Sequence, residues 1–120
     1  MTDITSIAND YIALWNTQDA AGRAALLERG WAGDARYVDP LMAAQGHAEI
    51  SALVAGVHGQ FPGFRFTLLG QPQAHGVHGR FSWGLGPDGA EPVVEGTDFV
   101  ELADGKLRRV IGFLDKVPAA

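Results

Sequence analysis

Three side chains raise the question of chemistry in this chain, and the first is Asp98. In "VVEGTDFVEL", Val94, Gly96, Asp98, Val100 and Leu102 alternate with Val93, Glu95, Thr97, Phe99 and Glu101. A period of two puts the first set on one face of a strand, where Asp98 is the only ionisable group. A lone carboxylate taken out of water is costly, so such an acid stays protonated or finds a donor. A protonated acid is itself a donor. The structural alternative is an Asp that pairs with an arginine or accepts backbone N–H groups. Tyr11 lies in the apolar stripe Ile4, Ile7, Ala8, Tyr11, Leu14, Trp15, and a buried phenol needs a partner for its hydroxyl. Tyr11 and Trp15 also read as core fillers. Asp39 precedes Pro40 in "RYVDPL". Taken alone it is a turn former. Taken with the others it completes a set: two donors stabilise an enolate oxygen and a carboxylate moves the proton.

Other chemistries find little support. The chain has no cysteine, which excludes a thiolate nucleophile and a zinc-thiolate site. On one strand, His75 and His78 point to opposite faces. His47 and His58 share a helix but stand about 16 Å apart along its axis, too far to hold one ion. No Gly-rich phosphate loop is present. Nine basic and 14 acidic residues give a net charge of −5. The bases are scattered apart from Arg108 and Arg109, so no nucleic-acid surface is expected. The start, "MTDITSIAND", lacks the basic and apolar regions of a signal peptide. No apolar run is long enough to span a bilayer. The expectation is a cytoplasmic protein with no membrane partner.

The elements that must position these groups follow from periodicity. Helical spacing predicts a helix over 3–16, a second over 20–29 capped by Asp19 and ended by Gly30, and a third over 47–60. A short strand is predicted over 36–39, stopped by Pro40. Period-two segments over 64–69, 77–85, 93–102 and 107–115 predict four strands. "GPDGAEP" and "ADGK" supply the turns that make the last three an antiparallel meander. The 120 residues suit one domain, 1–120, of α+β class. So few helices cover one face of a curved sheet, and a conical cavity between the layers is a natural small-molecule site. The outward face, with Phe99 and one of Phe64 or Phe66, predicts an interface.

The segments "YIALWNTQD", "ARYVDPLMAAQGHAEI", "FPGFRF", "RFSWGLGPDG", "EGTDFVEL" and "DGKLRRVIGFLD" occur in the order seen in the SnoaL-like branch of the nuclear transport factor two-like superfamily, which the chain resembles over nearly its whole length. The resemblance implies a cone-shaped α+β barrel, with three N-terminal helices packed on a curved, mostly antiparallel sheet, commonly a homodimer packed through that sheet. The superfamily hosts ketosteroid isomerase, polyketide cyclases, epoxide hydrolases, dehydratases and non-catalytic modules, so the fold alone names no reaction. Carried over from ketosteroid isomerase, the resemblance implies Tyr11 and a protonated Asp98 as oxyanion donors and Asp39 as base. The cyclase branch also points to Asp98. The epoxide hydrolase pattern fails, because the Arg expected two residues before that Asp is Gly96 here. The resulting expectation is proton abstraction and enolate chemistry, of isomerase or cyclase type, on a small apolar carbonyl compound, with no cofactor and no metal. Trp15, Trp31, Tyr37, Phe61, Trp83 and Leu114 are the expected substrate-binding wall. The alternative is a non-catalytic ligand-binding or dimeric interaction module.

Overall fold

The computed structural model describes residues 3–118. In chain order the elements are α1 (Ile4–Asn16), α2 (Ala20–Gly30), β1 (Trp31–Val38), β2 (Ala43–Gln45), α3 (Gly46–Gln60), β3 (Phe64–His75), β4 (His78–Pro87), β5 (Val94–Ala103) and β6 (Lys106–Lys116). The strands form one sheet in the order β2-β1-β6-β5-β4-β3. Neighbours are antiparallel except β1 and β6, which run parallel. The expected barrel is corrected here. The sheet is curved but unclosed, with β2 and β3 as its edges, and α3 follows β2, so not all the helices precede the strands.

Local chemistry explains the starts of the first two helices. Asp3 caps α1 by accepting from the Thr5 amide, and Asp19 caps α2 by accepting from the Gly22 amide at 2.7 Å. The α1 stripe Ala8, Tyr11, Leu14 and Trp15 is buried as the helical period requires. Asn16 then pins the end of α1 to β3, exchanging two hydrogen bonds with the Phe66 backbone at 2.7 and 2.9 Å. Helix α2 ends at Gly30, as expected, but Gly30 does not adopt the left-handed capping conformation, and the chain passes into β1 without a loop. At the other end of the chain, Asp104 and Gly105 both adopt positive φ in the β5–β6 turn, the conformation that a tight hairpin of this kind requires.

Three strands differ from expectation for identifiable reasons. β1 starts at Trp31, not Arg36, and its register with β6 breaks between those residues, where Gly33 and Asp34 read as loop. β2 is three small or polar residues with no alternation to detect, and it exists because β1 pairs with it across the Asp39 turn. β3 continues to His75 past an irregularity between Leu69 and Gln73, a segment containing Gly70 and Pro72. The histidine geometry changes with it. His75 and His78 lie on different strands and are cross-strand partners, with ring centroids 5.8 Å apart.

One charged residue in the interior was not anticipated. Arg23 on α2 is only 6 % exposed. Its guanidinium donates to the Thr17 and Gln18 carbonyls, at 3.2 and 2.7 Å, and to the Ser51 hydroxyl at 2.9 Å. It therefore ties the α1–α2 connection to α3 and satisfies two carbonyls just past the end of α1. Replacing Arg23 with Met should cost on the order of 2–4 kcal/mol in denaturant unfolding, because buried acceptors lose charged donors. A loss below about 0.5 kcal/mol would mean that water replaces the guanidinium.

Candidate active site

Face alternation on β5 holds as read: Val94, Gly96, Asp98, Val100 and Leu102 are buried. Asp98 pairs in register with Phe81 on β4 and with Gly112 on β6, which places it at the centre of the sheet. It is 1 % exposed. The Tyr11 hydroxyl from α1 donates to its Oδ2, and the Trp83 indole N–H donates to its Oδ1 at 3.1 Å. Among the described residues no basic side chain bonds to it. Burial pushes the Asp98 carboxyl up from 3.8 to about 6, against the Tyr11 and Trp83 hydrogen bonds, which pull it down; the negative charges of Asp39 and Asp115 add to the rise. Tyr11 is driven well above the ordinary phenol value by burial and then by the Asp98 charge.

Two glycines make this arrangement possible. A Cβ on Gly96 would lie 2.3 Å from Trp83 Cζ2 and 2.8 Å from the Phe113 carbonyl oxygen. The indole thus crosses β5 over a position that tolerates no side chain, and its N–H reaches Asp98. A Cβ on Gly112 would lie 2.9 Å from Asp98 Oδ1 and 3.2 Å from Asp39 Cβ. The two acids therefore flank the same methyl-sized space.

Asp39 forms the turn and also faces the cavity. It is the turn former, since its Oδ1 accepts the amides of Leu41 and Met42 at 2.8 and 3.0 Å and its own amide donates to the Met42 carbonyl at 2.9 Å. Its Oδ2 accepts from the Tyr37 hydroxyl at 2.6 Å, and it also borders a cavity. Tyr37 is raised above the ordinary phenol range by burial first, then by the Asp98 charge and its bond to Asp39.

The cavity has a volume of about 480 Å³ and lies between the helices and the concave face of the sheet. Tyr11, Trp15, Tyr37, Asp39, Phe61, Trp83 and Leu114 all border it. Trp31 does not; it stands behind Tyr11, stacked at a centroid distance of 5.8 Å. Asp98 does not border it either, because Tyr11 and Trp83 stand between its carboxyl and the open space. Phe66 was a candidate for the outward face. It is buried and forms cavity wall instead, because Phe66 pairs with Leu85 on the inward side of β4. Leu41, Met42, Val57, Gln60 and Val117 complete much of the lining and were not anticipated. Leu41 and Met42 follow Asp39-Pro40 in the turn, and the turn itself was the available signal.

Among the described residues, no basic side chain borders the cavity and no cluster of three metal-ligating side chains occurs. The Trp15 indole N–H is buried, and it makes no hydrogen bond of normal geometry among the described residues. His47 and His58 are engaged elsewhere, with Nε2 at hydrogen-bond distance from the Trp31 and Ala32 carbonyls and from the Trp15 carbonyl, respectively. Among the described residues, no helix is long and apolar enough to cross a membrane.

The SnoaL-like domain family matches residues 8–110, and the chain belongs to that family. A SnoaL-like protein from Agrobacterium tumefaciens, provisionally assigned as an isomerase, is 43 % identical and superposes with a TM-score of 0.90, covering 96 % of this chain and 99 % of its own. A protein from Kribbella flavida, provisionally assigned as a ketosteroid isomerase, is 24 % identical with a TM-score of 0.69 over 96 % of this chain and 79 % of its own. One from Sinorhizobium meliloti, provisionally assigned as a polyketide cyclase, is 18 % identical with a TM-score of 0.68 over 89 % and 93 %. These two likenesses establish the fold alone. No curated protein matches the chain.

The raised carboxyl predicts a pH dependence of stability. Folded Asp98 holds its proton more tightly than unfolded Asp98, so its favourable contribution is complete below pH about 4 and is lost as pH rises through about 6. A gap of about two units corresponds to roughly 3 kcal/mol at neutral pH. Asp98→Asn removes the burden of ionisation and leaves other titrations in place. Denaturant unfolding should find the variant more stable than wild type at pH 7.5, by an amount on that order, and the advantage should vanish by pH 4. Equal gaps at both values would show that Asp98 titrates normally.

Proposed function

We propose that this protein is an enzyme that abstracts a proton next to the carbonyl of a small, uncharged, largely apolar compound and stabilises the resulting enolate. The observation that carries this reading is that an acid, Asp39, and a phenol backed by a buried acid, Tyr11 on Asp98, open on one mostly apolar cavity. The absence of any basic residue on its wall supports an uncharged ligand, since an anion would have no partner there.

In this mechanism Asp39 takes the proton as the C–H bond breaks, and the electron pair moves onto the carbonyl oxygen. Tyr11 donates to that oxygen. Asp98 acts through Tyr11: when protonated, it donates to the phenol oxygen and frees the phenol proton for the ligand. Return of the proton from Asp39 to another carbon gives an isomer. Attack of the enolate on a second carbonyl carbon of the same molecule gives a ring, whose alkoxide recovers the proton. Neither route calls on a metal or an organic cofactor. The second reading, a binding module without turnover, is favoured by one observation: the turn by itself accounts for an Asp at position 39, through the amides that its Oδ1 accepts.

Deuterium exchange into a panel of enolisable ketones separates the two. Wild type should exchange at least one, and Asp39→Asn should lose a factor of roughly 10²–10⁴ while keeping its melting temperature, because Asn makes the same turn bonds. The alkaline side of the rate profile should fall as pH rises through about 6 and Asp98 gives up its proton. Asp98→Asn should flatten that fall and be milder than Asp98→Ala. Binding of a ketone with no exchange by wild type would leave the binding-module reading standing.

We also propose a cytoplasmic homodimer formed through the convex face of the sheet. Phe99, Ile111 and Phe113 are 45, 37 and 51 % exposed there, and the two Phe rings meet edge to face at 5.6 Å. An exposed apolar group of this kind supports an interface. Ser82, Thr97 and Asp115 form a hydrogen-bonded polar margin beside it. Light scattering at micromolar concentration should give twice the 12.7 kDa chain mass; a monomer mass would end this proposal.

A further inference from the structure

We propose that Tyr37 is a positioning residue for Asp39: its hydroxyl holds the carboxyl facing the cavity and keeps it from sharing a proton with Asp98. The inference rests on Asp39 as the base. Tyr37 and Asp39 are two residues apart at the end of β1, so both project to the concave side. The turn amides of Leu41 and Met42 fix only Oδ1. They settle where the carboxyl sits but leave Oδ2 to be held by something else, and the Tyr37 hydroxyl is its partner, at 2.6 Å. The ring of Tyr37 is itself fixed, with Trp15 against it at a centroid distance of 5.6 Å.

The need for such a restraint comes from the neighbour across Gly112. With no side chain on Gly112, Asp98 Oδ1 and Asp39 Cβ lie on either side of one small space. Carboxyls brought close together share a proton and titrate as a pair. Here each acid has its own phenol instead. Asp98 is bonded to Tyr11 from α1 and to the Trp83 indole from β4, and Asp39 is bonded to Tyr37 from β1 and to the turn amides. These, with Asp98 on β5 as the other acid, are the polar groups that face Asp39; no basic side chain forms a hydrogen bond or ion pair with it among the described residues. A Phe at position 37 would fill the same wall. The hydroxyl is the part that needs a separate explanation, since it is buried and its one hydrogen bond goes to an acid on the cavity.

The test is Tyr37→Phe, read in two ways. Carbon-detected NMR of the Asp39 carboxyl, with no ligand present, should show protonation at higher pH in the variant than in wild type, because a donor to the charged form has been lost. In deuterium exchange, kcat should fall about 10–100-fold with KM within about twofold, the size expected for one charge-assisted hydrogen bond. Phe61→Ala, which only opens the wall, should instead raise KM. An unchanged Asp39 titration overturns the proposal, as does a variant that raises KM and keeps kcat. If wild type exchanges no ketone, the enolate reading fails, and the NMR titration still decides whether Tyr37 holds Asp39.

Discussion

The arrangement depends on one desolvated carboxyl. Asp98 sits at the centre of the sheet, where water cannot solvate its charge, and the molecule answers with two donors from different layers: a phenol from α1 and an indole from β4. Neither is a cation. A cation would hold the carboxyl ionised and turn it into an inert structural pair. Phenol and indole offset part of the desolvation and leave the carboxyl up at about 6, within reach of protonation near neutral pH. The Tyr11 bond also ties α1 to the concave face, and the Trp83 bond joins β4 to β5.

The rest of the site follows from what must make room for that carboxyl. Gly96 lets the Trp83 ring cross β5, and Gly112 lets Asp39 approach from the end of β1. Any side chain at either position would collide with a ring, a backbone oxygen or a carboxyl. An unclosed, strongly curved sheet supplies the depth. The helices cover its concave face but stop short of filling it, and the space left over is bordered by aromatic and aliphatic side chains with polar groups at few points, the usual character of a small-molecule pocket.

The family relationship fixes the scaffold and stops there, since one fold of this kind supports unrelated reactions. In this chain each acid is paired with a phenol, and among the described residues no basic side chain borders the cavity. At the position two residues before Asp98, where an arginine would define a different chemistry, Gly96 admits an indole. A guanidinium there would hold Asp98 ionised, whereas the Trp83 N–H does so only weakly.

Periodicity alone placed Asp98 on the core face of β5 and Tyr11 on the buried stripe of α1, because alternation and helical spacing are local properties of the chain. Local chemistry likewise marked Asp19 as a cap and "ADGK" as a hairpin turn, while the Asp3 cap of α1 emerged only in the structure. It also located the three helices to within a residue or two. Contacts between distant segments decided the remainder. β2 has no intrinsic signal and forms because β1 offers it an edge. Phe66 faces inward because of its register with Leu85, which no pattern within β3 specifies. Arg23 is buried because three acceptors from two other segments converge on it. The position of Asp98 behind Tyr11 and Trp83, and of Asp39 beside Tyr37, depends on the lateral order of β4, β5, β6 and β1 and on two glycines whose missing side chains matter only once those strands are adjacent. A sequence records which groups each face offers. Which groups meet is settled by packing, because the distances that control a proton are set between residues 2 to 87 positions apart in the chain.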